Sequence, residues 1–160
     1  MSDGEVRIGT AGWSIPAAHA ALFPSGGSHL ERYARVLPAV EIDSTFYRSH
    51  RTATYARWSA SVPDGFRFSV KAPREITHRR RLLDTEPVLG TFLQEVRSLG
   101  AKLGPVLVQL PSSLAFEARN ARAFFETLRR LHDGEVACEP RHVGWFVPEA
   151  EALLTELRIA

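Results

Sequence analysis

Six polar residues that could do chemistry follow short apolar segments at widely separated points of this 160-residue sequence. We take five of them as candidate catalytic residues: Glu41, Asp43, Lys71, Glu139 and Arg141. Gln109, at an equivalent position, is a candidate substrate-binding residue. Carboxylates can act as general acids, general bases or metal ligands, and a neighbouring cation can stabilise negative charge that develops during a reaction. The alternative is an ionic network that only holds the fold together, which would be costly to bury.

Seven further residues close to the same segment ends are candidates for binding a substrate: Trp13, Tyr47, Arg48, Arg74, His78, His142 and Trp145. The aromatic rings could stack on a sugar or a base, or they could simply pack over the ends of the strands. The two histidines could carry protons near neutral pH. The arginine-rich sequence around His78, "ITHRRR", also fits a surface loop.

A concentrated basic segment lies within a chain whose net charge is only +2. Between Arg48 and Arg81, nine Lys or Arg residues stand against two acidic ones, Asp64 and Glu75. This imbalance favours an anionic partner, either a small molecule or a nucleic acid. A solvated arginine-rich surface without a partner is the alternative.

The elements that must position these residues alternate between strand and helix along the chain. Apolar periodicity predicts strands at residues 6–10, 39–43, 66–73, 105–111 and 135–140. It predicts helices at residues 28–37, 54–62, 87–99, around 124–131 and 148–157. Ser28 and Glu31 have the spacing of a capping box. After the fifth helix, a sixth strand is expected to begin at "RIA", where the sequence stops.

This alternation predicts an α/β fold with a parallel sheet. No GxGxxG motif follows the first strand and no phosphate-binding GxxxxGK[ST] loop is present, so the usual signatures of nucleotide-binding sheets are absent. A complete (β/α)8 barrel needs about 250 residues. We therefore predict an incomplete TIM-like (β/α) barrel of about five βα units, forming one domain over residues 1–160. In such barrels the carboxyl ends of the strands form the active-site face, where the candidate residues would converge.

Composition excludes several classes of protein. The sequence has no apolar run of membrane-spanning length and no signal-peptide pattern at its N-terminus, so we expect no membrane association and a cytoplasmic location. Cys138 is the single cysteine, which excludes an internal disulfide and predicts a small buried side chain. Neither an HExxH motif nor a GxSxG motif occurs. The sequence does not decide whether a divalent metal is bound, and it indicates no other cofactor.

Several motifs, taken in order, resemble the YecE-like proteins, a domain-of-unknown-function family. They are "IGTAGWS", "FP" at Phe23, "VEIDSTFYR", "FRFSVKAPREITH", "LGPVLVQLP" and "CEPRHVGWF". The resemblance covers nearly the whole sequence and implies a TIM-barrel-like fold with a polar cleft at the carboxyl ends of the strands. It also implies that the sequence is truncated at its C-terminus relative to the family. On that expectation the barrel would be open, and its edges would favour self-association or a partner that completes the barrel.

Three functions follow as hypotheses. The first is a hydrolase that acts on a phosphate ester, nucleic acid included; the resemblance adds an analogy to metal-dependent barrel endonucleases of the apurinic-site type, although fold alone does not fix function. The second is a module that binds an anionic ligand or nucleic acid without chemistry. The third is an inactive truncated remnant.

Overall fold

The computed structural model describes residues 6–160. Its strands are β1 (Gly9–Ala11), β2 (Ala39–Ile42), β3 (Arg67–Lys71), β4 (Leu103–Gln109) and β5 (Val136–Glu139). Its α-helices are α1 (His29–Ala34), α2 (Thr52–Ala60), α3 (Glu86–Val96), α4 (Ala118–Leu131) and α5 (Pro148–Glu156). Among these described helices, none combines the length and the hydropathy that crossing a membrane requires. The order of these elements confirms the predicted alternation of strand and helix, although β1 begins later than the predicted residue 6.

The five strands are all parallel and lie in the order of the chain, β1-β2-β3-β4-β5. Each strand is joined to its neighbour through a helical crossover, and such crossovers are right-handed in nearly all proteins. Because the strand order never reverses, every crossover lies on the same face of the sheet. This is the winding of a (β/α) barrel, and it confirms the predicted α/β class with about five βα units.

The face of the sheet that the helices cover forms the core. Alternate strand residues point towards the helices, and they are fully buried: Ile42, Phe68, Val70, Val106 and Val108. Helices α3 and α4 present their own buried apolar stripes to this layer: Leu89, Phe92, Leu93 and Val96 from α3, and Phe124, Phe125 and Leu128 from α4. Spacings of three and four residues place these side chains on one side of each helix, as predicted.

Local sequence signals fix several element boundaries. Ser28 Oγ accepts a hydrogen bond from the backbone N–H of Glu31, and the Glu31 carboxylate accepts one from Ser28 N–H, so the predicted capping box is present at the start of α1. Pro148 occupies the first turn of α5, where its missing N–H is not needed. Gly9 lets β1 approach β2 closely, because a Cβ there would collide with the carbonyl group of Ala39.

The opposite face of the sheet, which we call the inner face, is half-exposed. On β4 the inner-face residues Leu103, Pro105 and Leu107 are only partly buried, whereas Val106 and Val108 are inaccessible. The near-continuous apolar sequence of β4 is typical of strands covered on both faces. Within residues 6–160, the helices cover one face of β4 and leave its inner face half-exposed.

The segment expected to begin a sixth strand lies alongside β5. The backbone N–H of Ala160 donates to Val136 O at 3.0 Å, and Cys138 N–H donates to Ala160 O at 2.7 Å. Ala160 thus bonds to the residues on either side of Ala137. This is the hydrogen-bond pattern of parallel strands. Ala160 therefore extends the parallel sheet beyond β5.

Candidate functional site

The register of the sheet brings four predicted site residues onto its inner face. Glu41 pairs with Ser69, Lys71 with Leu107, and Gln109 with Glu139. Because alternate residues of a strand share a face, these pairings place the side chains of Glu41, Lys71, Gln109 and Glu139 on the same side. Together with Arg141, which follows β5, they form what we call the strand-end cluster.

Glu139 is the most firmly held member of the strand-end cluster. Gln109 Nε2 lies 3.1 and 3.0 Å from the two Glu139 carboxylate oxygens, and Arg141 Nε donates to Oε1 at 3.0 Å. Partial burial raises the pKa of Glu139, but the hydrogen bonds from Gln109 and Arg141 and the charges of Arg141 and Lys71 outweigh it, so the pKa lies below its ordinary value. Glu139 is therefore an anchored carboxylate that stays ionised.

Glu41 is shifted in the opposite direction. Burial raises its pKa, the positive charge of Lys71 opposes that rise, and the negative charges of Asp43 and Glu139 add to it. Glu41 and Lys71 are both described, and no direct ion pair within 4.0 Å joins them, so the lysine acts on this carboxyl from a distance. Two carboxyl groups with opposite pKa shifts in one site are an arrangement that enzymes use to divide acid and base roles.

The segments after β2 and β3 bring further groups to this site. The Thr45 hydroxyl lies 2.6 Å from the carbonyl oxygen of Lys71 and 2.7 Å from that of Ile42, which ties the end of β2 to the end of β3. Asp43 precedes a short 3-10 turn, Ser44–Phe46. Lys71 Nζ stands 4.8 Å above the centroid of the Phe46 ring, a cation–π contact.

His78 lies in a π-helical turn, Glu75–Arg79, and is half-buried rather than fully on the surface. Its Nδ1 is 2.8 Å from Thr77 Oγ1, and its ring packs edge-on against Phe46 at 4.9 Å. Burial lowers the pKa of His78, as do the charges of Lys71, Arg141 and Arg74. The imidazole therefore borders the strand-end cluster in its neutral form.

Three of the predicted binding residues lie beside the strand-end cluster, around a cavity. Tyr47, Arg48 and Arg74 line a cavity of about 490 Å³, which we call the side pocket. Its walls are the segment after β2 (45–49), the segment after β3 (73–79), one residue of α2 and the outer side of α3 (87–95). Tyr47 is 71% exposed at its rim. These three predicted binding residues therefore line a cavity next to the strand-end cluster rather than the cluster itself.

Two predicted aromatic candidates are packed against other side chains. Trp13 meets Trp58 of α2 edge-on at 5.0 Å between ring centroids. Trp145 is 4% exposed; its indole N–H donates to Leu114 O at 2.9 Å, and its ring packs on Phe116. Trp145 therefore packs over the ends of the strands, which was the alternative to stacking on a ligand, and its ring has almost no surface left for a ligand.

His142 performs a local structural task. Its Nδ1 accepts a hydrogen bond from Gly144 N–H at 2.9 Å and caps the short turn Val143–Trp145. This bond fixes the orientation of the ring. Cys138, expected to be small and buried, is partly exposed as a residue, and burial raises the pKa of its thiol to about 12.

The basic segment is partly neutralised by contacts within the protein. Arg79 and Arg80 both bond to Glu75, at 3.2 and 3.1 Å. Arg81 donates to the hydroxyl and the carbonyl oxygen of Ser113. Four exposed arginines of the segment, Arg48, Arg51, Arg57 and Arg74, donate no side-chain hydrogen bond to another described residue. Of these, Arg48 and Arg74 line the side pocket and are therefore placed for an anionic partner there.

A metal site is not supported by the geometry. Within residues 6–160, no three or more His, Cys, Asp or Glu side chains are grouped so that they could hold a metal ion. The carboxyl groups of the strand-end cluster are already bonded to Gln109 and Arg141 or held near Lys71. The described residues therefore do not fit the metal-dependent chemistry that the barrel-endonuclease analogy implies.

Sequence reasoning missed three residues that shape these sites. Phe46 separates the strand-end cluster from the side pocket. Its position in "STFYR", directly after β2, could have identified it from the sequence as a residue of the site. Tyr55 and Glu95 line the side pocket from α2 and α3. No sequence pattern identified them, because a tyrosine on the buried side of a helix reads as a core residue.

Comparisons with known proteins agree on one family. Residues 7–160 match the model of DUF72, described as a protein of unknown function. The chain is 30% identical over 148 residues to the UPF0759 protein YecE of Escherichia coli K12, and 26% identical over 152 residues to the UPF0759 protein YunF of Bacillus subtilis 168. These matches cover 91% and 89% of this chain but 52% and 53% of the relatives, so the chain spans about half of their length.

Solved structures show the same relationship. The fold superposes on a DUF72 family protein from Enterococcus faecalis V583 with a TM-score of 0.78 and 25% identity, covering 96% of this chain and 58% of that one. A DUF72 family protein from Thermotoga maritima MSB8 gives a TM-score of 0.76 and 25% identity, with 96% and 62% covered. The chain therefore belongs to the DUF72 family of proteins of unknown function.

Proposed function

We propose that the strand-end cluster is a catalytic site that hydrolyses a phosphate ester, with nucleic acid among its substrates. The observation that carries this proposal is the meeting, on one face of the sheet, of a carboxyl with a raised pKa (Glu41), an anchored carboxylate (Glu139) and a lysine (Lys71). Proton transfer and stabilisation of negative charge are the two tasks that hydrolysis of a phosphate ester requires.

The mechanism assigns proton transfer to Glu41. Its raised pKa makes it a stronger base than an ordinary carboxylate, so it takes a proton from the attacking water. The water oxygen forms a bond to phosphorus while the ester P–O bond breaks, and Glu41 returns the proton to the departing oxygen. Lys71 and Arg141 stabilise the negative charge on the phosphoryl oxygens, and Glu139 and Gln109 hold Arg141 in place.

His78 would support this reaction from the side of the cluster. As a neutral imidazole next to Lys71 and Arg141, it can hydrogen-bond the attacking water without adding another positive charge. Asp43 would keep the pKa of Glu41 high through its negative charge. No step of this mechanism uses a metal.

A module that binds an anionic ligand without chemistry is the second candidate. The exposure of Arg48 and Arg74 favours it, because neither guanidinium is committed to a carboxylate of a described residue. Such a module would bind single-stranded DNA with an affinity that falls as salt rises, and it would release no product.

Turnover separates the two candidates. The substrates are bis(4-nitrophenyl) phosphate, an abasic DNA duplex and single-stranded DNA, each assayed in EDTA and with Mg²⁺, Mn²⁺ or Zn²⁺. We expect product in EDTA, because proton transfer through Glu41 needs no metal ion. Release only with added metal would overturn the proposed mechanism. Binding of single-stranded DNA without product in any condition would favour the module.

A further inference from the structure

The side pocket contains a buried polar group that no described residue satisfies. Tyr55 is fully buried, and its hydroxyl has no hydrogen-bond partner. Burial, and to a smaller extent the charge of Glu95, raises the pKa of this phenol far above its usual range, so it remains a hydrogen-bond donor at any physiological pH. Unpaired buried hydroxyls are rare in proteins, and each calls for an explanation.

The charges around the side pocket leave an excess of positive charge. Arg79 is paired with Glu75, which also binds Arg80, so the Glu75 carboxylate is already shared between two cations. Glu95 accepts a hydrogen bond from Ser49 Oγ at 2.6 Å. Arg48 and Arg74, in contrast, line the cavity and are exposed.

Part of the wall of the side pocket is apolar, and we call it the apolar wall: Phe46, Pro73, Pro87, Val88 and Phe92. Pockets of about 300–1,000 Å³ with apolar walls and a few polar groups are the usual form of small-molecule sites. The volume of about 490 Å³ is large enough for one or two rings with a charged substituent. The polar groups of the side pocket include three arginines, Arg48, Arg74 and Arg79, and guanidinium groups suit phosphate and carboxylate oxygens.

We propose that the side pocket is a second ligand site, distinct from the strand-end cluster, for a small molecule that joins a planar apolar body to a phosphate or carboxylate group. Arg48 and Arg74 bind the anion, the apolar wall packs on the body, and Tyr55 donates its unpaired O–H to the ligand. Phe46 forms a common wall with the strand-end cluster, because Lys71 rests on the same ring.

The test is an NMR titration of the ¹⁵N-labelled chain with phenylphosphonate, whose P–C bond resists hydrolysis. We expect saturable shifts at the backbone amides of residues 45–49, 73–79 and 91–95. Inorganic phosphate should bind at least about tenfold more weakly, since it cannot use the apolar wall. Benzyl alcohol, which lacks the charge, should be similarly weak, and benzoate shows whether carboxylate can replace phosphonate.

Matched variants decide the location. Arg48→Gln/Arg74→Gln should weaken phenylphosphonate binding by roughly tenfold or more, since charge-assisted hydrogen bonds are lost. Arg57→Gln/Arg119→Gln removes two exposed arginines outside the pocket and should leave binding unchanged. Tyr55→Phe, which keeps the ring, should weaken binding about threefold or more.

Three results would overturn the site. They are non-saturating shifts, shifts confined to the strand-end cluster with none at the side pocket, or equal affinity in Arg48→Gln/Arg74→Gln and wild type. The Glu41→Gln variant should bind phenylphosphonate normally. A loss of turnover at the strand-end cluster and a loss of binding at the side pocket are thus measured separately.

Discussion

The strand-end cluster and the side pocket are adjacent, yet they are built on different principles. The cluster is placed by strand register, and three of its groups are bonded together: Glu139 accepts hydrogen bonds from Gln109 and Arg141. The side pocket is formed by two loops and a helix, and it leaves the Tyr55 hydroxyl unpaired and two arginines uncommitted. Under the two proposals, the hydrogen bonds of the cluster position its groups for proton transfer, whereas a ligand completes the unpaired groups of the side pocket.

The largest expected difference between the strand-end cluster and the side pocket is the loss of hydrolysis when Glu41 is changed. Glu41→Gln keeps the shape of the side chain but cannot accept or return a proton, so we expect hydrolysis to fall by roughly 10²–10⁴-fold. The matched control is Glu149→Gln, an exposed acid on α5 outside both sites. Initial rates on bis(4-nitrophenyl) phosphate give the comparison. Equal rates for Glu41→Gln and the control would remove Glu41 from the mechanism.

A smaller effect is expected on the free energy of unfolding when either of two buried tyrosines, Tyr33 or Tyr55, loses its hydroxyl. The Tyr33 hydroxyl accepts from Thr10 N–H and donates to Ala39 O, whereas that of Tyr55 has no partner. We expect Tyr33→Phe to lower the free energy of unfolding by about 1–3 kcal/mol, because it strands both backbone groups. Tyr55→Phe should raise it by about 1 kcal/mol, since it removes an unsatisfied buried hydroxyl.

Urea unfolding of both variants without ligand measures this difference. A destabilised Tyr55→Phe would mean that the hydroxyl already has a partner in solution, and the contrast between the two regions would be lost. The same titration with phenylphosphonate present should reverse the sign for Tyr55, because wild type then gains the ligand bond.

The smallest effect is the contribution of the strand-end cluster to the pH dependence of stability. The pKa of Glu41 is raised on folding, so its contribution is full below the unfolded value of about 4.3 and is lost as pH rises through the folded pKa. The pKa of Glu139 is lowered, so its contribution is present above about 4.3 and is lost as pH falls through the folded pKa.

Unfolding free energies between about pH 3 and pH 7 check these signs. Relative to wild type, Glu41→Gln should gain stability as pH rises, and Glu139→Gln should lose it. Tyr55→Phe should show a difference that does not change with pH, since its phenol stays protonated throughout. Parallel curves for both glutamate variants would contradict the opposite shifts of the two carboxyl groups.

Element type was predictable because it depends on local periodicity. The apolar spacing of α3 and α4 and the alternation of Phe66, Phe68 and Val70 each identify one buried side, and all of these side chains are buried or nearly so. The capping box at Ser28 was visible for the same reason, since both partners lie within one turn. The short β1 was misplaced, because Val6 and Ile8 look like strand residues but are exposed.

The sequence by itself determined the class of fold and the inner-face position of Glu41, Lys71, Gln109 and Glu139. A period of two within each strand and the shared direction of parallel strands are enough to specify which side chains meet. Only the tertiary structure decided that Tyr47, Arg48 and Arg74 line a separate pocket and that Trp145 is buried. These residues lie in loops and short turns, whose path depends on packing against distant segments such as α3, and no local pattern encodes that path.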